Sequence, residues 1–381
     1  MATRRTATWS EWAEGECALI RAERRWRTVR DVDGSGPTVR VGDGDGGRTV
    51  VSFASNDYLG LTRHPAVVAA AHAALDRWGA GAGSARLVAG SRPVHSELEA
   101  ELADWKGTER AVLFPTGFAA NLGVLAALGG PDVHILSDQL NHASIVDGCR
   151  LSRSPVTIYP HRHADAVEQA LRGSGRAIVV TDAVFSMDGD LAPLADLART
   201  CARHGALLVV DEAHAVLGGE AMPPGCEVLR VGTLSKALGA LGGFVAGPAP
   251  LIDLVVNRAR SFVFTTASSP ADAAAALAAL GVVRSPEGRA LEVRLRAHVQ
   301  RLAPGHPSPI VPIVLGDEDR ALTASAALLD KGLLVPAIRP PTVPAHGSRL
   351  RVSLSSAHTT AQVEQLSAAL DTLRHEARAQ T

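Results

Sequence analysis

Cysteine is scarce in this sequence, and its few copies lie far apart. The four cysteines, Cys17, Cys149, Cys201 and Cys226, form no CxxC pair and show no metal-ligand spacing. This pattern argues against a disulfide framework and against a zinc site, and it is typical of proteins kept in a reducing compartment. We therefore expect free thiols and no metal.

The sequence also lacks an excess of charge of either sign and lacks a long apolar run. Its formal net charge is -1 at pH 7, which gives no electrostatic footprint for nucleic acid or for an anionic membrane. No apolar stretch approaches the roughly 20 residues that a membrane span needs. Arg4 and Arg5 are not followed by the apolar segment of a secretory signal, so we expect a cytoplasmic protein.

What the 381 residues do contain is an alternation of short apolar runs and helical patterns. Repeated strand–helix units predict an α/β fold with a mostly parallel, doubly wound sheet. The length predicts two or three domains. We place an N-terminal helix and strand segment at 1–50, a large domain at 51–275 and a smaller α+β C-terminal domain at 276–381.

Two regions, the N-terminal segment and the connection to the C-terminal domain, do not follow the strand–helix alternation. Residues 9–30 have the pattern of an Arg-rich amphipathic helix, and residues 31–47, full of Gly and Asp, are predicted to form turns. Residues 251–283 read as a long apolar helix that is interrupted at 262–266 and connects to the C-terminal domain.

Two of the predicted strands are followed by residues with ionisable side chains that could act in catalysis. The apolar run 207–210 leads to Asp211 and His214, and the run 228–231 leads to Lys236. Because ligands in open α/β sheets lie outside the carboxyl ends of strands, these three side chains should meet in one crevice. Pyridoxal phosphate uses such a pair, a lysine as Schiff base and an aspartate that keeps the pyridinium nitrogen protonated. Taken singly, an aspartate in this position more often caps a loop, and a lysine more often lies in solvent.

Two further loops are candidates for binding. The small-residue loop at 79–90 lacks the arrangement of a phosphate-binding motif, so a flexible substrate or interface loop is the better interpretation. The strand–turn–helix step at 110–121 would place free N–H groups where a phosphate could sit. On this evidence alone, an ordinary turn between a strand and a helix is the favoured interpretation of that step.

Taken together, these motifs resemble the α-oxoamine synthases, fold type I pyridoxal-phosphate enzymes. The likeness covers nearly the whole chain from Ser55 onward and is strongest in five runs: Thr116–Asn121, His142–Ser144, Phe185–Asp190, Asp211–His214 and Thr233–Lys236. The resemblance implies decarboxylative condensation of an amino acid with an acyl thioester. The stretch Ile338–Pro344 points to the branch that joins L-alanine to a pimeloyl thioester, carried by coenzyme A or an acyl carrier protein, in biotin biosynthesis.

The resemblance also implies roles for individual residues around the cofactor ring. Lys236 would form the Schiff base and later act as acid and base, and Asp211 would pair with the pyridinium nitrogen. His214 and Ser186 would hold the ring phenolate, and His142 would stack on the ring face. Asp182 stands where the family often has Glu.

Phosphate and substrate contacts follow from the same resemblance. The N–H groups of Gly117 and Phe118, together with the Thr233 hydroxyl, would hold the phosphate. Thr265 and Thr266 would reach the phosphate of a neighbouring subunit, which implies a homodimer with shared sites. The substrate carboxylate would bind Arg339, with Asn56 nearby, because a planar guanidinium suits a carboxylate.

Four other functions are weighed against this one. A relative with a different amino acid or acyl thioester would differ in a pocket that the sequence does not size. An aminotransferase usually needs a further arginine and a different lysine context, and a non-catalytic homologue would not be expected to keep His142, Asp211, His214 and Lys236. A Ser–Lys hydrolase is disfavoured because Lys236 lacks a Ser-x-x-Lys spacing.

Overall fold

The structure is a computed structural model that describes residues 8–42, 47–218 and 222–379. Its strands are β1 (Val32–Asp33), β2 (Thr38–Val41), β3 (Arg48–Ser52), β4 (Arg110–Phe114), β5 (Val133–Asp138), β6 (Val156–Tyr159), β7 (Arg176–Asp182), β8 (Leu207–Asp211), β9 (Val228–Thr233), β10 (Gly243–Gly247), β11 (Ile310–Gly316), β12 (Leu333–Leu334), β13 (Ala337–Ile338) and β14 (Ser348–Ser353). Its helices are α1 (Trp9–Ala22), α2 (Pro65–Trp78), α3 (Pro93–Lys106), α4 (Gly117–Leu128), α5 (Ala143–Ser152), α6 (Ala164–Leu171), α7 (Leu194–His204), α8 (Ala249–Arg258), α9 (Arg260–Val263), α10 (Pro270–Val283), α11 (Pro286–Leu302), α12 (Glu318–Asp330) and α13 (Thr360–Ala379).

The central sheet has seven strands in the order β4-β10-β9-β8-β7-β5-β6. The five strands from β9 to β6 are parallel, and only β10 runs antiparallel to both of its neighbours. Their side chains are almost continuously buried, as expected for strands covered on both faces. The predicted doubly wound, mostly parallel sheet is therefore confirmed.

The carboxyl ends of these parallel strands place polar residues along one edge of the sheet. Asp182 and Asp211 are directly paired at the ends of β7 and β8. Thr233 ends β9, and Asp138 ends β5. This edge, which apolar strands hold rigidly in place, is where the candidate site lies.

Two smaller sheets accompany the central sheet, and one of them joins the two ends of the chain. One has the order β1-β2-β3-β12, and the other has the order β11-β14-β13. In the first, Leu333 of β12 pairs in parallel with Val51 of β3, so a C-terminal strand completes the N-terminal sheet. The domain boundaries at residues 50 and 275 stay predictions.

The N-terminal region differs from its prediction in two places. The helix ends at Ala22 instead of Arg30, and no side chain of α1 is buried, so no tertiary contact prolongs it. Residues 31–47 were predicted as turns, but β1 and β2 form there because Val39 and Val41 alternate inward onto a small apolar core. Residues 43–46 of that stretch, and Arg4 and Arg5, lie outside the described residues.

The rest of the chain follows the predicted order more closely. The long apolar stretch after residue 251 is helical, and its main break, at 264–269, overlaps the predicted interruption at 262–266. A further break between α8 and α9, and the short strands β12 and β13, were not predicted. All four cysteines carry free thiols. Among the residues that the structure describes, no helix has both the length and the hydropathy to cross a membrane.

Candidate active site

Lys236 lies in the loop after β9, and its amino group contacts a histidine. Its Nζ atom is 3.0 Å from Nε2 of His214. Burial lowers the pKa of the Lys236 ammonium; the charges of Asp211 and Asp182 oppose this shift. A lowered pKa increases the fraction of neutral amine, which is the form that attacks a carbonyl carbon.

A chain of hydrogen bonds beyond His214 fixes where the imidazole proton lies. The Tyr58 hydroxyl donates to Oδ1 of Asn56 at 3.1 Å and lies 2.6 Å from Nδ1 of His214. Because Oδ1 of Asn56 can only accept, we assign the single Tyr58 proton to that bond, which makes Nδ1 of His214 the donor to Tyr58. That tautomer leaves Nε2 as the acceptor for Lys236. Burial, with the cations nearby, lowers the pKa of His214 well below its ordinary value, so a neutral imidazole faces the lysine.

Arg351, in β14, is a buried cation whose described partners are all neutral. Its guanidinium donates to the Ser186 carbonyl at 2.6 Å and to the Ser353 hydroxyl at 2.7 Å. Both terminal nitrogens also donate to Oδ1 of Asn56 at 3.2 Å. By contrast, the neighbouring Arg349 pairs with Asp188. A buried charge without a counter-ion is costly, so Arg351 marks a place for an anion from outside the chain.

A second chain of hydrogen bonds joins Asp211 to His142. Nδ2 of Asn121 donates to Oδ2 of Asp211 at 2.6 Å and to Oγ of Ser144 at 2.9 Å. Both the hydroxyl and the N–H group of Ser144 meet Nδ1 of His142, at 2.7 and 3.2 Å. Nδ1 is therefore an acceptor, and His142 carries its proton on Nε2. Desolvation lowers the pKa of His142, which favours this neutral form.

Asp182 is a buried carboxyl group beside Asp211. It is 3% exposed, and its Oδ2 accepts from the backbone N–H of His142 at 2.8 Å. Burial and the neighbouring Asp211 charge raise the pKa of Asp182 well above its ordinary value. The Asp182 carboxyl group thus fixes the start of α5 and, with it, His142.

The first turn of α4 presents two free amide groups. The hydroxyl of Thr116 accepts from the N–H of Ala119 at 3.0 Å, and its carbonyl accepts from the N–H of Ala120 at 3.1 Å. The N–H groups of Gly117 and Phe118 have no described acceptor within this turn. A helix N-terminus with free N–H groups is a favourable place for an anionic phosphate.

The glycines behind this turn keep it close to Thr233. A Cβ atom on Gly117 would lie 3.3 Å from Cβ of Thr233, and one on Gly243 would lie 2.5 Å from the nitrogen of Gly117. Oγ1 of Thr233 is 2.8 Å from Oγ of Ser235, so two hydroxyls face the same helix end. The result is a cradle of amides and hydroxyls that larger residues would fill.

The loop that carries Ser186 is fixed by a charged clamp. Nδ1 and Nε2 of His161 lie 2.9 Å from carboxylate oxygens of Asp138 and Asp190. Burial lowers the pKa of His161, but the hydrogen bonds and charges of the two carboxylates raise it to about 9. The protonated imidazole therefore ties the end of β5 to this loop, whose Ser186 carbonyl holds Arg351.

The predicted site residues converge only in part. Lys236, Asp211, His214, His142 and Asn56 belong to the two hydrogen-bond chains, and Gly117, Phe118 and Thr233 form the cradle. The backbone of Ser186 contacts Arg351, whereas its hydroxyl has no described hydrogen bond.

Three predicted residues lie apart from these groups. Thr265 and Thr266 lie after α9, in a segment whose Ala267 N–H donates to the Ser84 carbonyl at 3.0 Å. The Arg339 guanidinium donates to the Arg24 carbonyl at 2.8 Å and has no described bond to Asn56. The assigned roles of all these residues stay predictions.

Sequence reasoning missed Arg351, Tyr58 and Asn121 as site residues. The sequence around Arg351 did contain a usable signal. An arginine between Leu350 and Val352 in a strand is either exposed or, if it is buried, needs a partner or a ligand. Tyr58 and Asn121 stood inside the motifs that carried the resemblance. Their importance rests on contacts with residues that are far away in the sequence.

Comparisons with known proteins decide which family this site belongs to. The family model of aminotransferase class I and II matches residues 48–370. The chain belongs to this family. A curated 8-amino-7-oxononanoate synthase of Anaeromyxobacter dehalogenans is 51% identical over 382 residues. This alignment covers 94% of this chain and 94% of the relative. Another from Geobacter sulfurreducens is 46% identical, with 93% of this chain and 96% of the relative covered.

A solved structure that is similar to this chain carries the cofactor. A variant of the serine palmitoyltransferase from S. paucimobilis, with a bound PLP–myriocin aldimine, superimposes with a TM-score of 0.88 at 28% identity, covering 96% of this chain and 97% of its own. The fold type I architecture and the α-oxoamine synthase resemblance are thereby confirmed. The chain is a pyridoxal-phosphate-dependent enzyme, as predicted.

The residues present fit this cofactor. The cradle at Gly117 offers free amides to a phosphate, and the buried Asp211 carboxylate has an amide donor but no cation, which leaves it free to accept from a ring N–H. Lys236 supplies a buried amine of lowered pKa. The cradle, Asp211 and Lys236 would thus bind the phosphate, the ring nitrogen and the carbonyl carbon of the cofactor, respectively.

Proposed function

We propose that this enzyme condenses L-alanine with a pimeloyl thioester of coenzyme A or of an acyl carrier protein. The products are 8-amino-7-oxononanoate, carbon dioxide and the free thiol carrier, in biotin biosynthesis. The observation that carries the proposal is the buried Arg351, which lacks a counter-ion and is joined to Lys236 through Asn56, Tyr58 and His214. The full-length similarity to 8-amino-7-oxononanoate synthases supports the choice of substrates. The free thiols are typical of a reducing compartment, and we propose the cytoplasm as the location of the enzyme.

When bound, pyridoxal phosphate supplies an electron sink for the bond broken at the amino acid Cα. The chain contributes groups that hold and move protons around that carbon. Lys236 gives up its proton at low cost because it is buried beside a neutral His214. Asp211 provides the fixed negative charge at the ring nitrogen, and Asn121 orients its carboxylate.

His142 supplies a proton donor on the side of the site that faces the cleft. Its Nδ1 is occupied by Ser144, so the proton on Nε2 is available to a substrate oxygen. The bond between Asp182 and the His142 backbone holds this imidazole in place. A donor of this kind stabilises the charge that develops on a thioester oxygen during acyl transfer.

We assign the amino acid carboxylate to Arg351 and Asn56. A carboxylate would supply the counter-ion that Arg351 lacks inside the protein, and one guanidinium N–H is not used by the contacts described above. Holding the carboxylate still sets which bond at Cα lies perpendicular to the ring, which is a positioning effect. Arg339 stays a second candidate for the same carboxylate, because the loop that follows it lines the cleft beside His142.

The direct test is an assay with purified enzyme, pyridoxal phosphate, L-alanine and pimeloyl-CoA. We expect one free thiol and one carbon dioxide for each 8-amino-7-oxononanoate formed, and slower turnover with glycine or L-serine. Turnover only with another amino acid or another acyl thioester would select a different α-oxoamine synthase. Formation of pyruvate from alanine without thiol release would indicate an aminotransferase and would contradict the proposal.

The two arginines are predicted to differ when each is changed to lysine. Arg351→Lys keeps the charge but loses the planar fork in a buried site, so the KM for alanine should rise about 30-fold or more, equivalent to at least ~2 kcal/mol. Arg339→Lys should change that KM less than about threefold, because its described contact is a backbone carbonyl. Steady-state kinetics at saturating pimeloyl-CoA measure both values.

Melting temperatures and cofactor content serve as controls for this pair of variants. A selective rise in the alanine KM for Arg339→Lys, with Arg351→Lys close to wild type, would return the carboxylate role to Arg339. Equal loss of pyridoxal phosphate from both variants would point to a structural effect and would contradict the assignment of Arg351.

We also propose a homodimer whose sites are completed across the interface. Large apolar side chains are exposed in the cradle, at Phe118 (43%), and directly before Thr265, at Phe264 (70%). The segment with Thr265 packs on the loop that carries Ser84. Exposed apolar surface of this extent beside a site is typical of a protein–protein interface.

Subunit mixing tests this shared site. Lys236→Ala and a Thr265→Ala/Thr266→Ala double variant are each expected to have little activity. After exchange of subunits, random pairing should restore activity in about one quarter of all sites, because one site of each mixed dimer has both parts. A mixture that stays as inactive as its components, or a fully active monomer in light scattering, would contradict the proposal.

A further inference from the structure

Adjacent residues at the end of β8 point to opposite faces of the central sheet. Asp211 accepts from Asn121 of α4, a helix that packs into the apolar core on one face. Glu212 pairs instead with Lys106 at the end of α3, a helix that packs into the core on the other face. A strand imposes this alternation on successive side chains. A second carboxylate therefore lies directly behind the one that faces the cofactor.

Glu212 lies between two cations that come from different elements. Its Oε2 is 2.7 Å from Nζ of Lys106, and its Oε1 accepts from the guanidinium of Arg230 in β9. The Lys106 ammonium also lies 3.7 Å from the centroid of the Trp105 ring, a cation–π contact. Burial raises the pKa of Glu212, but the charges and hydrogen bonds of the two cations outweigh burial and lower it overall. The carboxylate is thus charged and is anchored from two sides.

The backbone of Glu212 belongs to the turn that presents His214. Its N–H donates to the Val231 carbonyl at 2.8 Å, which continues the pairing of β8 with β9. Its carbonyl accepts from the N–H of Ala215 at 3.0 Å, which closes the turn around His214. The anchored side chain therefore fixes the residue from which this turn starts.

A cavity of about 60 Å³ is lined by Lys106 and Glu212. Its other walls include Leu59, Ala213 and Ala237. Each of these three is next in sequence to a member of the hydrogen-bond chain that runs from the tyrosine through the histidine to the lysine of the site. Empty space beside the turn means that neighbouring atoms do not block its displacement once the anchor is lost.

We propose that Glu212, held by Lys106 and Arg230, is a positioning residue that sets the directions of Asp211 and His214 in the cofactor site. The inference concerns the cofactor and the lysine, so it goes beyond the choice of substrates proposed above and does not depend on it. The competing explanation is that these ion pairs only stabilise the fold.

The test removes the anchor without changing the net charge. Lys106→Met/Glu212→Gln deletes one charge of each sign and keeps the size of both side chains. We expect the dissociation constant for pyridoxal phosphate, titrated into the apoenzyme, to rise about tenfold. Displacement of His214 should also expose Lys236 to water. The pH midpoint of Lys236 acetylation in the apoenzyme, followed by peptide mapping, should then rise by about half a unit, which means a threefold smaller fraction of neutral amine.

An equivalent pair elsewhere in the chain provides the matched control. Glu168 of α6 is likewise held by two basic side chains, Arg203 and His204 of α7, and its described hydrogen bonds reach no residue of the site. Arg203→Met/Glu168→Gln deletes the same two charges. It should leave the dissociation constant within about twofold of wild type and the acetylation midpoint unchanged, whatever its melting temperature.

Two single variants complete the series. Lys106→Arg keeps the cation beside Glu212, so both readouts should stay within about twofold of wild type. Lys106→Met keeps the Arg230 contact and replaces the double variant if that protein does not fold. It should raise the dissociation constant about threefold.

The readouts separate positioning from stability. A lower melting temperature of the double variant at Lys106 and Glu212, with an unchanged cofactor constant and an unchanged acetylation midpoint, would overturn the proposal. Equal loss of cofactor binding in the control at Glu168 would overturn it as well, because a general loss of stability would then explain both. Neither readout uses alanine or pimeloyl-CoA, so failure of the proposed function would leave this test intact.

Discussion

Replacing Lys236 by alanine is expected to lower kcat roughly a thousandfold or more while leaving the fold intact. The side chain is the only described amine beside His214. Its lowered pKa increases the fraction of neutral amine, which can act as a nucleophile and can accept a proton. No neighbour can replace it, because His214 has no primary amine and Arg351 does not lose its proton at ordinary pH. Turnover of alanine and pimeloyl-CoA, with the melting temperature alongside, measures the effect.

The sequence makes this prediction easy to control. It contains three lysines, Lys106, Lys236 and Lys331. Lys106 is paired with Glu212 at 2.7 Å, whereas Lys331 is exposed, so Lys331→Ala should behave as wild type. Borohydride reduction followed by peptide mapping should fix the cofactor to Lys236 in the wild type and to no lysine in Lys236→Ala. A near wild-type rate for Lys236→Ala, or a label on another lysine, would refute the assignment.

Asp211→Asn is expected to bind the cofactor and to lose most of the activity. The amide is nearly isosteric and still accepts from Asn121, but it cannot stabilise a proton on the ring nitrogen electrostatically. Removing one partner from a buried charge pair costs about 3–5 kcal/mol, which at ~1.4 kcal/mol per tenfold corresponds to roughly two to three and a half orders of magnitude in kcat. The rate and the visible spectrum of the bound cofactor report the two effects separately.

Asp182→Asn is the matched control for this change. Asp182 lies beside Asp211 at the end of the neighbouring strand, but burial and the Asp211 charge raise its pKa well above the ordinary value. An amide there replaces a carboxyl group whose charged form is already disfavoured by burial, and it can still accept from the His142 N–H, so a loss of less than about tenfold in rate is expected. A larger loss in Asp182→Asn than in Asp211→Asn would show that the negative charge had been assigned to the wrong residue.

Sequence patterns alone predicted the structure correctly where the physical cause of an element lies within one segment of the chain. The apolar runs before Asp211 and before Lys236 predicted buried parallel strands, since only a strand covered on both faces tolerates such continuity. The rule that ligands lie at strand ends then brought Asp211, His214 and Lys236 together, and the structure places them so. The helix at 9–30 and the turns at 31–47 were less certain, because their outcome depends on contacts with α12 and β12, about 300 residues away.

The sequence by itself determined the fold class, the family, the cofactor and the strand-end residues, because each follows from a short periodic pattern or a contiguous motif. Only the tertiary structure decided which arginine lacks a counter-ion. Arg339, in a conspicuous proline-rich run, bonds to the Arg24 carbonyl, whereas Arg351, hidden in an ordinary strand, is buried among neutral partners. Whether a charge is compensated depends on the groups that lie within a few ångströms of it in space. For Arg351, the packing of Asn56 and Ser186 against β14 makes those groups neutral.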